Sequence, residues 1–168
     1  MELTLRRGHR AEIPAMLRIA RGLPAWFTDR GVEHMAVDLR FQHRRVAVAG
    51  ERIRGFLSYY VKEGDAYIGW LAVDPEMHRS GVGRALVAAL EAELAGTGVA
   101  RLLVETLGDG VDYEPYARTR AFYRSLGFVD WLRVERDDPE CPELLTLAKA
   151  LPAPAAGRPG KTPTPPRA

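Results

Sequence analysis

The run His78-Arg79-Ser80-Gly81-Val82-Gly83 has the residue types and spacing of an anion site. It follows an apolar segment, residues 68–73, and the break Asp74-Pro75, and a helical pattern starts at its glycines. A strand feeding a glycine-opened helix leaves unpaired backbone N–H groups and a positive dipole end at one point, which suits phosphate. A side chain at Gly81 or Gly83 would hold the backbone away from such a ligand. Arg79 and Arg84 either add charge there or are solvated surface residues. Two common phosphate loops are excluded. Gly83-Arg84-Ala85 lacks the lysine and hydroxyl of a Walker loop, and Leu86 stands where a dinucleotide fold needs a third small residue.

Other chemistries find little support in the residues. His9, His34, His43 and His78 show no metal spacing and no HExxH, so no metal is expected. There is no Gly-x-Ser-x-Gly elbow. Cys141, the only cysteine, has no cationic pattern to mark a thiolate nucleophile and cannot form an internal disulfide. Glu105 stands out because it follows Leu102, Leu103 and Val104. Core packing does not explain a carboxylate there, unless strand alternation turns it to solvent.

The elements that must position these residues are readable from periodicity. Residues 3–7 alternate as a short strand, and residues 11–23 carry Ile13, Met16, Leu17 and Ala20 at helical spacing with Pro14 in the first turn. Residues 26–40 read as one or two helical pieces interrupted near Gly31. Residues 45–49 and 53–61 form a hairpin, and Gly64-Asp65 turns the chain into a third strand, 67–73. Val82, Leu86, Leu90 and Leu94 repeat every four residues along a helix stopped by Gly96-Thr97-Gly98. A strand at 102–106, a helix opened by Pro115 and ended by Gly127, and strands at 128–134 and 144–151 complete an order β-α-α-β-β-β-α-β-α-β-β. This is an α/β chain with helices on the faces of a mixed sheet, and the β-α-β at 67–105 should be a parallel unit.

The loop, preceded by Leu71-Ala72-Val73-Asp74-Pro75, resembles the acetyl-coenzyme A signature Gln/Arg-x-x-Gly-x-Gly/Ala of the Gcn5-related N-acetyltransferases (GNAT). A second stretch, Thr119-Arg-Ala-Phe-Tyr123-Arg-Ser-Leu-Gly127-Phe128, is similar to another motif of that family, and the element order over 3–151 fits it. The departures are His78 for Gln/Arg, and Tyr116 where many members have Asn. The resemblance implies the acyl-CoA N-acyltransferase fold: a central mixed, mostly antiparallel sheet with a splayed parallel pair, flanked by helices. It implies acetyl-CoA as co-substrate, its pyrophosphate at His78, Arg79, Ser80, Gly81, Val82, Gly83 and Arg84, with Thr119 nearby. The pantetheine would lie against Leu71, Ala72 and Val73, with Gly69 as a bulge position and the amides of Leu71 and Val73 facing it.

The same resemblance implies acetyl transfer to a primary amine by direct attack in a ternary complex. An amine with a pKa of about 10.4 needs a base, and a thiolate leaves more readily beside an acid. Tyr123 resembles the family's tyrosine beside the sulfur; the helical stripe offers the rival reading of a core aromatic with a satisfied hydroxyl. Glu105 is the first choice of base, with Glu33 and Glu76 behind it. Tyr116 and Glu33 are candidate substrate contacts, and the acidic loop Asp109, Asp112, Glu114 either attracts a cationic amine or is simply solvated.

Composition sets the bounds. Residues 151–168 hold three cations and no acid, and removing those three from 24 Lys+Arg leaves 21 against 22 Asp+Glu. The basic balance belongs to this Pro-rich segment, so nucleic-acid binding by the domain loses its support. The expected organisation is one acetyltransferase domain at 1–151 and a disordered tail at 152–168. Apolar runs break well before about 20 residues, so no membrane span is expected. The N-terminus lacks a signal-peptide core, and a cytoplasmic protein follows, with a small-molecule or peptide amine as partner and a homodimer open. A non-catalytic acyl-CoA sensor and a protein-interaction module on the same scaffold are the alternatives.

Overall fold

Turn chemistry organises the first half of the chain. The computed structural model describes residues 2–155, so most of the expected tail, residues 156–168, lies outside the described residues. Strands β1 (Leu3–Arg7), β2 (His43–Ala49), β3 (Arg52–Lys62) and β4 (Asp65–Val73) pair antiparallel in that order. The β3–β4 turn is Glu63-Gly64, both at positive φ (53° and 84°), as a two-residue hairpin requires. It lies one residue before the turn that the sequence suggested. β4 then pairs parallel with β5 (Arg101–Leu107), and β7 (Glu143–Ala150) lies antiparallel between β5 and β6 (Val129–Glu135). The seven-stranded sheet runs β1-β2-β3-β4-β5-β7-β6, the mixed sheet with one parallel pair that was expected.

Helices cover both faces. A single 3-10 turn, Arg10–Glu12, leads into α1 (Ile13–Arg21), with Pro14 in the first turn where its missing N–H costs little. α2 (Asp29–Phe41) is one uninterrupted helix, not two pieces. Gly31 falls in its first turn, where its amide donates to the capping Thr28 Oγ1 at 3.0 Å, so the glycine serves the start of the helix rather than breaking it. α1 and α2 bury Met16, Met35 and Leu39 against Phe56 and Ala72. On the opposite face α3 (Val82–Leu94) buries Leu86 and Leu90 against Leu57, Leu102 and Leu145. Each such leucine contributes about 1.5–3 kcal/mol by burial. α4 (Glu114–Ser125) lies on this second face and sends Tyr123 into the same core. No helix among the described residues is long and apolar enough to cross a membrane.

Two irregularities of β4 open the sheet at its C-terminal half. The register slips between Ser58↔Trp70 and Tyr59↔Ile68, making Gly69 the bulged residue. The parallel pairing with β5 spans only Ala66↔Leu102, Tyr67↔Leu103 and Ile68↔Val104. Beyond that rung the strands separate.

Candidate active site

The bulge is built by side chains from two other elements. Trp70 N donates to Ser58 Oγ (3.1 Å), which donates on to Gln42 Oε1 (2.7 Å), so a buried serine replaces the lost ladder bond. Gln42 lies directly over Gly69, where a Cβ would sit 2.1 Å from Oε1. After the bulge, Asp74 N donates to Arg54 O at 2.8 Å. Antiparallel alternation therefore aims the backbone groups of Ala72 at β3 and those of Leu71 and Val73 away from it, into the gap that β5 has vacated. The Val73 carbonyl bears this out. It accepts from His78 Nε2 at 2.9 Å, which fixes the ring's proton on that nitrogen.

The loop after β4 is held from below. Arg54 Nη1 donates to Asp74 Oδ2 (2.7 Å) and Glu76 Oε2 (3.0 Å), and Asp74 Oδ1 accepts from Glu76 N (3.0 Å). Arg79 and Gly81 both take positive φ (62° and 86°), which turns successive amides toward one side. Ser80 N is bonded to Met77 O (3.3 Å), but no bond engages the amides of Arg79, Gly81, Val82, Gly83 or Arg84 among the described residues. The two glycines are needed for different reasons. Nothing lies within 4 Å of a Cβ at Gly81, so its left-handed conformation is the requirement there. At Gly83 a Cβ would come within 3.2 Å of Phe122 Cζ, so this glycine also lets α3 approach α4.

These pieces surround an open cleft of ≈ 820 Å³. Leu71, Ala72 and Val73 form one wall, residues His78 to Arg84 apart from Ser80 the mouth, and Thr119, Phe122 and Tyr123 of α4 the other wall. Arg79, Arg84 and Arg118 ring the mouth with exposed cations. Leu23, Trp26 and Phe27, from the connection between α1 and α2, close the remaining side. The sequence pattern placed Leu23 at the end of the first helix and Trp26 and Phe27 at the start of the second; α1 ends at Arg21 and α2 begins at Asp29, so all three fall in the connection and face the cleft instead. Trp26 meets the His78 ring edge-on (6.1 Å) and donates from Nε1 to Pro115 O (3.1 Å).

Tyr123 satisfies half of each rival reading. It is 4% exposed and packs edge-on against Phe122 and Phe128, a core aromatic. Yet it lines the cleft, and no group among the described residues hydrogen-bonds its hydroxyl, in contrast to Tyr113 and Tyr116. Burial holds this phenol far above its ordinary pKa, so it stays protonated. Tyr116 points elsewhere: its hydroxyl donates to Trp26 O (2.6 Å), and burial raises it to about 12. Tyr113 donates to Ala25 O (2.7 Å), so the two tyrosines staple the α1–α2 connection onto α4.

The remaining candidates lie outside the cleft. Glu33 is exposed on α2, and Glu76 is tied to Arg54. Glu105 is exposed on β5, opposite Thr146 and one residue past the last rung to β4, so it stands at the splay but on the face away from the cleft. The acidic loop is largely neutralised. Asp109 meets Arg120, Arg124 and Arg133, and although burial opposes them, Arg124 and Arg133 hold its carboxyl below the ordinary value. Glu114 pairs with Arg118.

Residues 42–130 match the model of a family described as an acetyltransferase (GNAT) domain. No curated protein matches the chain. Among solved structures, a GNAT-family acetyltransferase from Desulfovibrio desulfuricans superposes with a TM-score of 0.76 at 21% identity, over 89% of this chain and 99% of that one. The ribosomal-protein-S18-alanine N-acetyltransferase of Escherichia coli gives 0.72 at 25% identity, over 93% and 97%. An aminoglycoside 6'-N-acetyltransferase complexed with coenzyme A gives 0.68 at 17% identity, over 92% and 100%.

Proposed function

This chain belongs to the GNAT acetyltransferase family, and from that premise we propose that it transfers the acetyl group of acetyl-CoA to a primary amine, by direct attack in a ternary complex. The observation that carries the reading is two groups of unbonded amides along one cleft, separated by a loop whose own amides are bonded. Those of Arg79, Gly81, Val82, Gly83 and Arg84 suit the pyrophosphate, and those of Leu71 and Val73 suit the pantetheine amides and the thioester carbonyl. Acetyl-CoA, when bound, supplies an activated thioester.

The positions of the chain's own groups support the following roles. A main-chain amide aimed at the developing oxyanion contributes roughly 3 kcal/mol to lowering the barrier, and Leu71 N is suited to this. Tyr123, protonated and without a partner, donates a hydrogen bond to the departing sulfur. Glu105, across the sheet at the splay, accepts the proton of the incoming ammonium, directly or through water. The balance is closed: a C–N bond forms, the C–S bond breaks, the sulfur leaves as thiol, and one proton passes to solvent. His78 and Trp26 shape the cleft beside the loop. The exposed cations Arg79, Arg84 and Arg118 favour the anionic end of the donor at the mouth.

The test follows free thiol while acetyl-CoA and a panel of amines are mixed with the full chain, with acetylated amine identified by mass. Amine-dependent thiol release is expected. Tight acetyl-CoA binding with no release for any amine would favour a sensor, and no binding at all would favour an interaction module.

A further inference from the structure

The sheet face opposite the cleft carries a second constellation. Tyr59, Ala66, Ile68, Leu102 and Val104 point into the α3 core, so alternation places Tyr60, Tyr67, Leu103 and Glu105 together on the other face. Tyr60 and Tyr67 are cross-strand partners whose rings stack with centroids 5.2 Å apart and planes 6° apart. Tyr60 is 37% exposed. Next to this pair stands Glu105, which has no salt-bridge partner among the described residues, whereas Asp65, Asp74, Asp109, Asp130 and Glu143 are all paired. Burial, and then Glu105, Tyr67 and Asp38, raise the Tyr60 phenol.

Walls flank this floor. On one side is α2, whose Asp38 is engaged by Trp70 Nε1 (2.9 Å). On the other is the β6–β7 connection, which carries half-buried Cys141, its thiol raised by burial first and by Glu105 least, and Glu140, which accepts from Thr28 Oγ1 at 3.4 Å to join the two walls. Arg101, paired with Asp65 and lying over Trp131 (4.6 Å), places a cation at the far end.

We propose that this groove selects the acceptor: a primary amine with a single positive charge, carried on a flat apolar body that packs on Tyr60 and Tyr67 while Glu105 receives the ammonium. Among the groove's carboxylates Glu105 accepts no hydrogen bond from the described residues, whereas Asp38 already accepts from Trp70 Nε1 and Glu140 from Thr28 Oγ1, and Arg101 at the far end disfavours a second ammonium there. A hydroxyl-rich body would leave the aromatic surface unused. Aromatic surface recognises flat apolar groups, and its faces attract a nearby cation. This inference rests on the acetyltransferase reading and adds the chemical class of its acceptor.

The experiment compares kcat/KM for 2-phenylethylamine, ethylamine and spermidine, in the wild type and in Tyr60→Ala and Tyr67→Ala. The wild type should prefer 2-phenylethylamine over ethylamine by at least about tenfold, and over spermidine as well. In either variant the phenylethylamine-to-ethylamine ratio should fall toward one, with KM for phenylethylamine moving more than kcat. A ratio taken within one variant cancels general damage, and Tyr60→Leu serves if an alanine variant does not fold. A wild type without the preference, or a ratio the substitutions leave unchanged, overturns the inference while acetylation itself continues. Absence of thiol release with every amine overturns the acetyltransferase reading and this inference together.

Discussion

At the residue scale, Tyr123 shows how a core position and a reactive position can be one and the same. Its ring contributes to packing, while its hydroxyl is left without a partner at the cleft wall. Tyr123→Phe keeps the ring, so the fold and acetyl-CoA affinity should hold while kcat falls by about 10²-fold, read by thiol release. Because burial keeps the phenol protonated well past its usual range, the wild-type rate should show no falling limb from Tyr123 below about pH 10. Equal kcat in the variant would remove the hydroxyl from the reaction. Some of this was legible in the sequence. Gly81 and Gly83 announce a backbone conformation and a close approach, and Tyr123 sits at a fixed offset from Gly127. Trp26 and Tyr116 were not legible in the same way, because their roles come from contacts across about ninety positions of chain.

At the element scale, the decisive device is the bulge in β4, which re-aims the strand so that Leu71 and Val73 face an open gap. Ser58→Ala would leave Trp70 N and Gln42 Oε1 without their bonds and should cost about 1–3 kcal/mol in urea unfolding, with weaker acetyl-CoA binding. An unchanged midpoint would mean that another contact holds the bulge. A second prediction belongs to the 3-10 turn before α1. The Arg6 hydrogen bond is the main reason that Glu12 is pulled down to about 2, and Glu12 also accepts from His9 N at 2.8 Å. A depressed carboxyl stabilises the fold above its unfolded value, near 4.5, and loses that contribution as pH falls toward 2. Glu12→Gln should therefore cost about 1 kcal/mol at pH 7, given the partial solvent exposure of the pair. The gap to wild type should close as the pH drops below 4.5. A gap independent of pH would show that the charge is not what matters. Gly69 was readable as a bulge, but Ser58 and Gln42 were not, since nothing local marks a serine as the substitute for a ladder bond. Gly31 misled for the converse reason: a glycine suggests a break in a helix until its place in the first turn is known.

At the scale of the whole molecule, the sheet is two antiparallel pieces, β1–β4 and β5–β7–β6, joined by three parallel rungs. The periodicities give the seven strands and four α-helices in their order, but they cannot show how early that parallel pairing stops, because it depends on the register of strands distant in sequence. A donor lying in the gap would touch both pieces. Acetyl-CoA at about 100 times its Kd should therefore stabilise the fold by about 2.7 kcal/mol, seen as a rise in Tm. The most direct measurement is amide hydrogen exchange, resolved by residue, with and without acetyl-CoA. Exchange at Leu71, Val73, Gly81, Val82 and Gly83 should slow at least about tenfold when the donor is added, ahead of any change in β1 or β6. Saturable binding that leaves those five amides exchanging at their unliganded rates would contradict it.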